Sequence, residues 1–233
     1  MLKRFVSMPG RAVRLLYTSL RRPVVRMGMK GKGIRFVRPN YIYADRFNGT
    51  STILDVGCGS EAEFSRFMID RFRLQAFGVD PTRKHAPALR ALEEEYGDRF
   101  RHLPLAVSFE NGSIPFNEST EHESGSILAE HTNVQNDETL SYEVESVTPA
   151  GLLKRAGISK ADFLKLDLEG AEYELLERLT GEEWRPFEQV FIEFHHHCTG
   201  YTEKDTRRRV RALSGMGFRV FSLDLHNYLF YRP

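Results

Sequence analysis

Between Thr52 and Val107 the chain alternates short apolar, β-branched runs with longer stretches of helical spacing, and this alternation limits the fold more than any other feature. Thr52–Val56, Gln75–Val79 and Leu103–Val107 read as strands, with Glu63–Phe72 and Arg83–Tyr96 as the helices between them. Strands joined through helices cannot pair as hairpins, so they lie parallel with the helices as crossovers. Regularity resumes later with strand Tyr142–Val147 and helix Pro149–Ala156, opened by Thr148. Strand Asp162–Leu168, helix Ala171–Leu179, strand Gln189–His195 and helix Thr202–Gly215 follow. Phe218–Leu223 and Tyr228–Tyr231 then pair around the His226-Asn227 turn. The expectation is an α/β fold: a doubly wound, mostly parallel seven-stranded sheet, helices on both faces, and a terminal antiparallel strand.

Composition narrows the class. Apolar residues make up 41% of the 233 and charged residues 28%, which excludes a disordered tail. Cys58 and Cys198 are the only cysteines, so there is no disulfide framework, and a reducing, cytoplasmic setting is expected. No apolar run approaches the ~18 residues a membrane span needs. Arg14 interrupts Ala12–Leu20, the stretch that a secretion signal would use. The totals of 33 Lys+Arg and 32 Asp+Glu exclude a uniformly basic coat for nucleic acid. They conceal an asymmetry, because residues 1–38 hold eleven Lys/Arg and no acid. Residues 1–50 therefore read as a basic leader and a turn-rich approach, and residues 51–233 as a single domain. Within the leader, Ala12, Leu15, Leu16 and Leu20 share one helical arc and Arg11, Arg14, Arg21 and Arg22 another, a pattern suited to an anionic membrane surface. From His102 to Leu153 there is no Lys or Arg, while nine acids occur. Residues 108–139 accordingly read as an acidic loop or loose hairpin serving as a lid.

The sharpest local signal is Ile53-Leu54-Asp55-Val56-Gly57-Cys58-Gly59. A buried strand runs into a turn whose glycines let the backbone approach a ligand, just ahead of a helix. Asp80 ends the next strand, where a carboxylate can accept both hydroxyls of a ribose. Glu61 and Glu63 would repel a diphosphate, whereas Asp55 suits an ammonium, so the pattern favours S-adenosyl-L-methionine over NAD. The cofactor-binding candidates are Asp55, Gly57, Cys58, Gly59, Asp80, Pro81 and Ser108.

Asp55-Val56-Gly57-x-Gly59 with Gly78-Val79-Asp80 resembles motif I and its acidic partner in class I S-adenosylmethionine-dependent methyltransferases. The segment Asp162-Phe163-Leu164-Lys165-Leu166-Asp167-Leu168-Glu169-Gly170-Ala171-Glu172, followed by Phe191-Ile192-Glu193-Phe194-His195, resembles the FkbM-type methyltransferase family. Gly125-Ser126 is similar to that family's mid-domain serine, and the resemblance covers about residues 50–195. It implies a Rossmann-like class I fold and O-methylation of a hydroxyl on a sugar, a glycan or glycolipid, or a secondary metabolite.

The catalytic candidates are Asp167, Glu193 and His195. Asp167 and Glu169 follow one strand, on the edge where open α/β sheets bind ligands, and alternation puts both on one side. Methyl transfer to a hydroxyl needs in-line approach and removal of a proton, which a carboxylate or a neutral histidine can accept. Glu172 reads mainly as an acid favoured at a helix start. Which of His195, His196 and His197 acts is left open, and His131 is a weaker candidate. No metal is assigned, with a hard-metal or mixed use of Asp167, Glu193 and His195 or His197 as the alternative.

The expected partners are a small-molecule or glycan acceptor and, through residues 1–38, an anionic membrane at the inner face. An acid-rich lid repels polyanions, which favours a neutral or cationic acceptor. An RNA methyltransferase using the basic leader is one competing reading. Against it, no Lys lies between Asp167 and Glu193 and no Asn/Asp-Pro-Pro-Tyr segment occurs, so nucleic acid is not the expected partner. A non-catalytic cofactor-binding or membrane-tethering module is the other, and Asp167 with Glu193 argues against it.

Overall fold

The structure, a computed structural model, describes residues 29, 31–121, 125–128 and 138–233. The leader helix read over residues 11–22 and His131 both lie outside the described residues.

Two strands come first, β1 (Ile34–Val37) and β2 (Tyr41–Ala44), paired as an antiparallel hairpin. Then follow β3 (Thr52–Val56), helix α1 (Glu63–Phe72), β4 (Gln75–Val79), α2 (Ala86–Tyr96) and β5 (Phe100–Leu103). A second group holds β6 (Ala106–Val107), β7 (Gly112–Ser119), β8 (Gly125–Ser126) and β9 (Thr139–Val147). The chain ends with α3 (Pro149–Ala156), β10 (Phe163–Leu166), α4 (Glu172–Arg178), β11 (Gln189–Glu193), α5 (Glu203–Gly215), β12 (Arg219–Ser222) and β13 (Asn227–Tyr231).

The main sheet has seven strands in the order β12-β13-β11-β10-β3-β4-β5. It is parallel from β11 through β5, and β13 runs antiparallel to both of its neighbours. The chain reverses its direction of winding at β3, so the carboxyl ends of β3 and β10 flank a topological switch point, the place where such sheets bind ligands. The expected doubly wound α/β sheet with its terminal antiparallel strand is therefore the observed one.

Period-two alternation assigns the strand residues to two cores. Leu54, Val56, Leu164, Leu166, Val190 and Ile192 face α3, α4 and α5, with Trp184 and Phe187 beside them. Ile53, Ala76, Phe163 and Phe191 face α1 and α2 on the other side. The β1–β2 hairpin packs into that second core through Ile34, Ile42, Tyr43 and Ala44. The Gln189 amide completes the docking, accepting from Ala44 N at 2.7 Å and donating to Ala44 O at 3.1 Å.

One expectation needs correction. Leu103–Val107 is not one strand: the third parallel strand is Phe100–Leu103, and Ala106–Val107 instead pairs with Ser146–Val147 of β9. Pro104 has no N–H to continue the ladder, and a tight turn from Leu105 N to Leu103 O (2.9 Å) redirects the chain. Of the loop and the hairpin that the sequence offered, the described part of residues 108–139 takes the hairpin form. β7 pairs with β9 over eight positions, from Gly112↔Ser146 to Ser119↔Thr139, in a four-stranded sheet β6-β9-β7-β8. Its small core is Ala106, Phe116 and Val144, so most of its residues are polar and the segment resembles a loop in composition.

Candidate active site

The donor end is built by the β3 turn. Gly57 has φ +70°, and a Cβ there would lie 2.1 Å from the Asp167 carbonyl oxygen, so the turn closes against β10 only with glycine. Asp80 then organises the neighbouring loops, its Oδ2 accepting from Gly59 N and its Oδ1 from Thr82 N, both at 2.9 Å. His85 Nδ1 stands 3.4 Å from Asp80 Oδ2. Burial alone would raise the Asp80 pKa, but the His85 and Thr82 bonds outweigh it and hold the carboxyl below its ordinary range.

A cavity of about 210 Å³ opens over these groups. Gly57, Gly59, Asp80 and Pro81 line it, as do Asp167 and Glu169. Val79, Leu105, Val107, Phe116 and Ile127 supply an apolar slot, and Ser126 adds a hydroxyl. The lining fits an adenosyl cofactor: a slot for a planar ring, a carboxylate for ribose hydroxyls, and backbone bared by two glycines. Phe116 lies in β7 of the small sheet and Ile127 directly follows β8, and sequence reading missed both because that segment read as a loop or loose hairpin.

Three expected cofactor residues stand elsewhere. Asp55 is buried in β3 and meets an ammonium, but it is the protein's own. Lys165 Nζ lies 3.2 Å from Asp55 Oδ1, and Ser65 Oγ donates to Asp55 Oδ2 at 2.7 Å. Cys58 packs its sulfur near Gly78, and burial, then Asp80 and Asp55, pushes its thiol pKa well up. Ser108 joins strands instead, donating from its backbone N to Val147 O at 2.9 Å.

The later motifs converge beside this cavity. His195 Nε2 lies 3.4 Å from Asp167 Oδ1 and 3.6 Å from Glu169 Oε2. Its Nδ1 is 3.3 Å from Glu172 Oε1, which also accepts from His195 N at 2.8 Å. Burial disfavours the charged ring, but the Glu172 bond and the Glu172, Asp167 and Glu169 charges prevail, and the His195 pKa is pushed up to about 10. The three carboxylates thus favour the imidazolium form of His195. His196 turns away to Thr206 and stacks on His226 at 4.5 Å, and His197 is exposed.

Lys165, overlooked in the sequence, ties the two ends together. Its Nζ donates to Gly57 O at 2.7 Å and lies 3.5 Å from Asp167 Oδ2, so one cation joins the Gly57 turn to the Asp167 carboxylate. A lysine in the otherwise apolar Phe163-Leu164-Lys165-Leu166 run was the available signal, and the structure puts it in register with Asp55. Glu193 stands next to this group, and burial followed by the Asp167 charge pushes its pKa up to about 7. Asp167 is raised for the same first reason, burial.

The model of the methyltransferase FkbM domain matches residues 98–220. A 2-O-methyltransferase, NoeI, from Sinorhizobium fredii is 30% identical over 139 residues, covering 53% of this chain and 55% of that protein. The match thus spans about half the length of that relative. Among solved structures, the Methanococcus jannaschii fibrillarin pre-rRNA processing protein aligns with a TM-score of 0.47 and 10% identity, over 85% of this chain and 69% of that one. The M. capricolum TrmK complex with S-adenosyl-homocysteine aligns with a TM-score of 0.41 and 12% identity, over 80% and 62%. Both scores are below 0.5, and the fold assignment stands on the sheet order itself. Because the matched stretch covers more than half of the chain and carries Asp167, Glu193 and His195, this protein belongs to the FkbM methyltransferase domain family.

Proposed function

We propose that this methyltransferase is an O-methyltransferase that acts on a hydroxyl of a small-molecule or glycan acceptor. What supports the reading is that Asp167 and Glu169 line the donor cavity with His195 directly behind them, its Nε2 within 3.6 Å of both carboxylates. The cofactor is S-adenosylmethionine, which supplies an electrophilic methyl group on a sulfonium. Gly57 and Gly59 bring bare backbone to it, Asp80 receives its ribose hydroxyls, and the slot around Phe116 and Ile127 takes its base.

A hydroxyl approaching in line must lose its proton as its oxygen becomes bonded to carbon. His195 cannot take that proton while it is an imidazolium. Asp167 does so, as a half-buried carboxylate whose pKa desolvation has raised, and His195 and Lys165 hold it in place from either side. Glu193, with a pKa of about 7, orients the acceptor through a hydrogen bond. A glycan is favoured because hydroxyl-rich acceptors match a wall of carboxylates, and the 2-O-methyltransferase name of NoeI supports transfer to an oxygen. The basic stretch 1–38 supports contact with an anionic membrane, where a glycolipid acceptor would be met. Among the described residues no helix is long and apolar enough to cross a membrane.

The test is transfer from methyl-labelled S-adenosylmethionine to a panel of methyl pyranosides, glycolipids, polyketide alcohols and RNA. Label should appear in a hydroxyl compound as an ether, and label in RNA alone would refute the reading. In parallel, Asp80→Ala should weaken calorimetric donor binding at least about tenfold, from the loss of charge-assisted hydrogen bonds. An unchanged affinity would remove Asp80 from the donor site.

A further inference from the structure

The hairpin of β1 and β2 precedes the stretch matched to the family, yet its turn reaches the catalytic cluster. Asn40 sits in that turn. Its Nδ2 donates to Glu193 Oε2 at 2.9 Å and to Asn227 Oδ1 at 3.3 Å, while its Oδ1 is buried without a hydrogen-bond partner. A buried amide oxygen left unpaired is unfavourable, and a residue chosen only to shape the turn has no need of it.

The rest of the hairpin holds Asn40 rigidly. Ile42 and Tyr43 are buried, the Gln189 amide grips Ala44, and the Tyr41 ring lies 5.0 Å from Phe64 and 5.9 Å from Phe191. Tyr41 also stands over Lys165 Nζ at 5.7 Å, so the hairpin covers the Lys165–Asp55 pair as well as Glu193. Asn227 is fixed in turn, its Nδ2 donating to Asp224 Oδ2 at 2.9 Å. The Glu193 carboxylate is thus steered from outside its own strand by a residue 153 positions away.

We propose that Asn40 is a positioning residue for the acceptor, whose side-chain N–H fixes the orientation of the Glu193 carboxylate against the incoming hydroxyl compound. The inference rests on the acceptor role given to Glu193 above. The hairpin is then a wall of the acceptor subsite and contributes to acceptor choice. A neutral amide donor at this point keeps Glu193 free to accept from a hydroxyl with its other oxygen. An acid here would place two oxygen acceptors face to face.

The discriminating variant is Asn40→Asp, which keeps size, shape and turn preference but replaces the N–H donor by an oxygen. It is compared in full-length protein with Asn40→Ala and Glu193→Gln, using the methyl pyranoside that takes most label in the panel. Asn40→Asp should lower kcat/KM for that pyranoside at least about tenfold, with donor affinity within about twofold and the melting temperature within a few degrees. Asn40→Ala should fall between the two. If Asn40→Asp keeps wild-type kcat/KM while Glu193→Gln loses it, Asn40 serves the hairpin alone and the inference is overturned. If Glu193→Gln is itself as active as wild type, the acceptor role of Glu193 fails first. A panel in which no hydroxyl compound is labelled removes the O-transfer reading and this inference with it.

Discussion

His195 lies between three carboxylates, and that crowding sets its protonation state. The neutral ring that general-base catalysis would require is disfavoured by Glu172 on one nitrogen and by Asp167 and Glu169 at the other. Glu172→Gln removes the strongest of these, so the His195 pKa should fall from about 10 toward its ordinary 6.5, read from the imidazole resonances in an NMR pH titration. An unmoved resonance would mean that Glu172 does not contact the ring in solution. The same crowding bears on metals. The ligand atoms of Asp167, Glu169 and His195 lie within 4.8 Å of one another and could hold an ion. Asp167, however, has Lys165 Nζ at 3.5 Å and His195 Nε2 at 3.4 Å, so both of its oxygens are engaged from within the protein. Turnover should therefore stay within about twofold after dialysis against a chelator, with loss and recovery on adding Mg2+ or Mn2+ as the contrary result. At this scale the placing of Gly57, Gly59, Asp80 and Asp167 around one cavity was legible, because each stands at a strand end beside a turn. Asp55 was misread because its partner, Lys165, is brought alongside only by pairing of β3 with β10.

The elements were legible wherever period and capping agreed. The expected helices Glu63–Phe72 and Pro149–Ala156 have the observed bounds, and the latter begins where Thr148 Oγ1 accepts from Gly151 N at 3.1 Å. In the small sheet only Tyr142–Val147 of β9 was legible, since β7 and β8 bury few side chains and their composition is that of a loop. The tightest joint between elements is the Gly57 turn against β10. Gly57→Ala combines a left-handed backbone, worth about 1–2 kcal/mol, with a Cβ only 2.1 Å from the Asp167 carbonyl oxygen. The two together should destabilise the protein by at least about 3 kcal/mol in urea unfolding, and donor binding should be lost with them. A change under about 1 kcal/mol would show that the turn can move away from β10.

Across the whole molecule, buried acids and bases make stability depend on pH. A carboxyl with a raised folded pKa favours the folded state when protonated, so the Glu193 contribution declines as pH rises from about 4.5 to about 7. A histidine with a raised folded pKa stabilises below its unfolded value of 6.5, and that contribution disappears as pH rises to about 10. Asp80 acts in the opposite sense, its contribution being lost as pH falls below the ordinary carboxylate value. The cofactor-free protein should thus melt highest near pH 5 and lose several degrees by pH 9, with Glu193→Gln flattening the lower part of that slope. A melting temperature that rises between pH 5 and pH 9 would contradict the buried cluster.

Local pattern alone determined the strand and helix succession of the main sheet apart from the bend at Pro104, the glycine turn, Asp80 at the next strand end, and the family resemblance of the Asp167–Glu172 segment. These depend on neighbours a few residues apart, where periodicity and backbone freedom act directly. Only tertiary structure decided which histidine enters the site, that Asp55 belongs to Lys165, that Pro104 diverts the chain into a second sheet, and that Asn40 touches Glu193. Each of these is a choice of partner across the fold. Burial and charge make that choice when distant strands come within a few ångströms, and no local spacing encodes it.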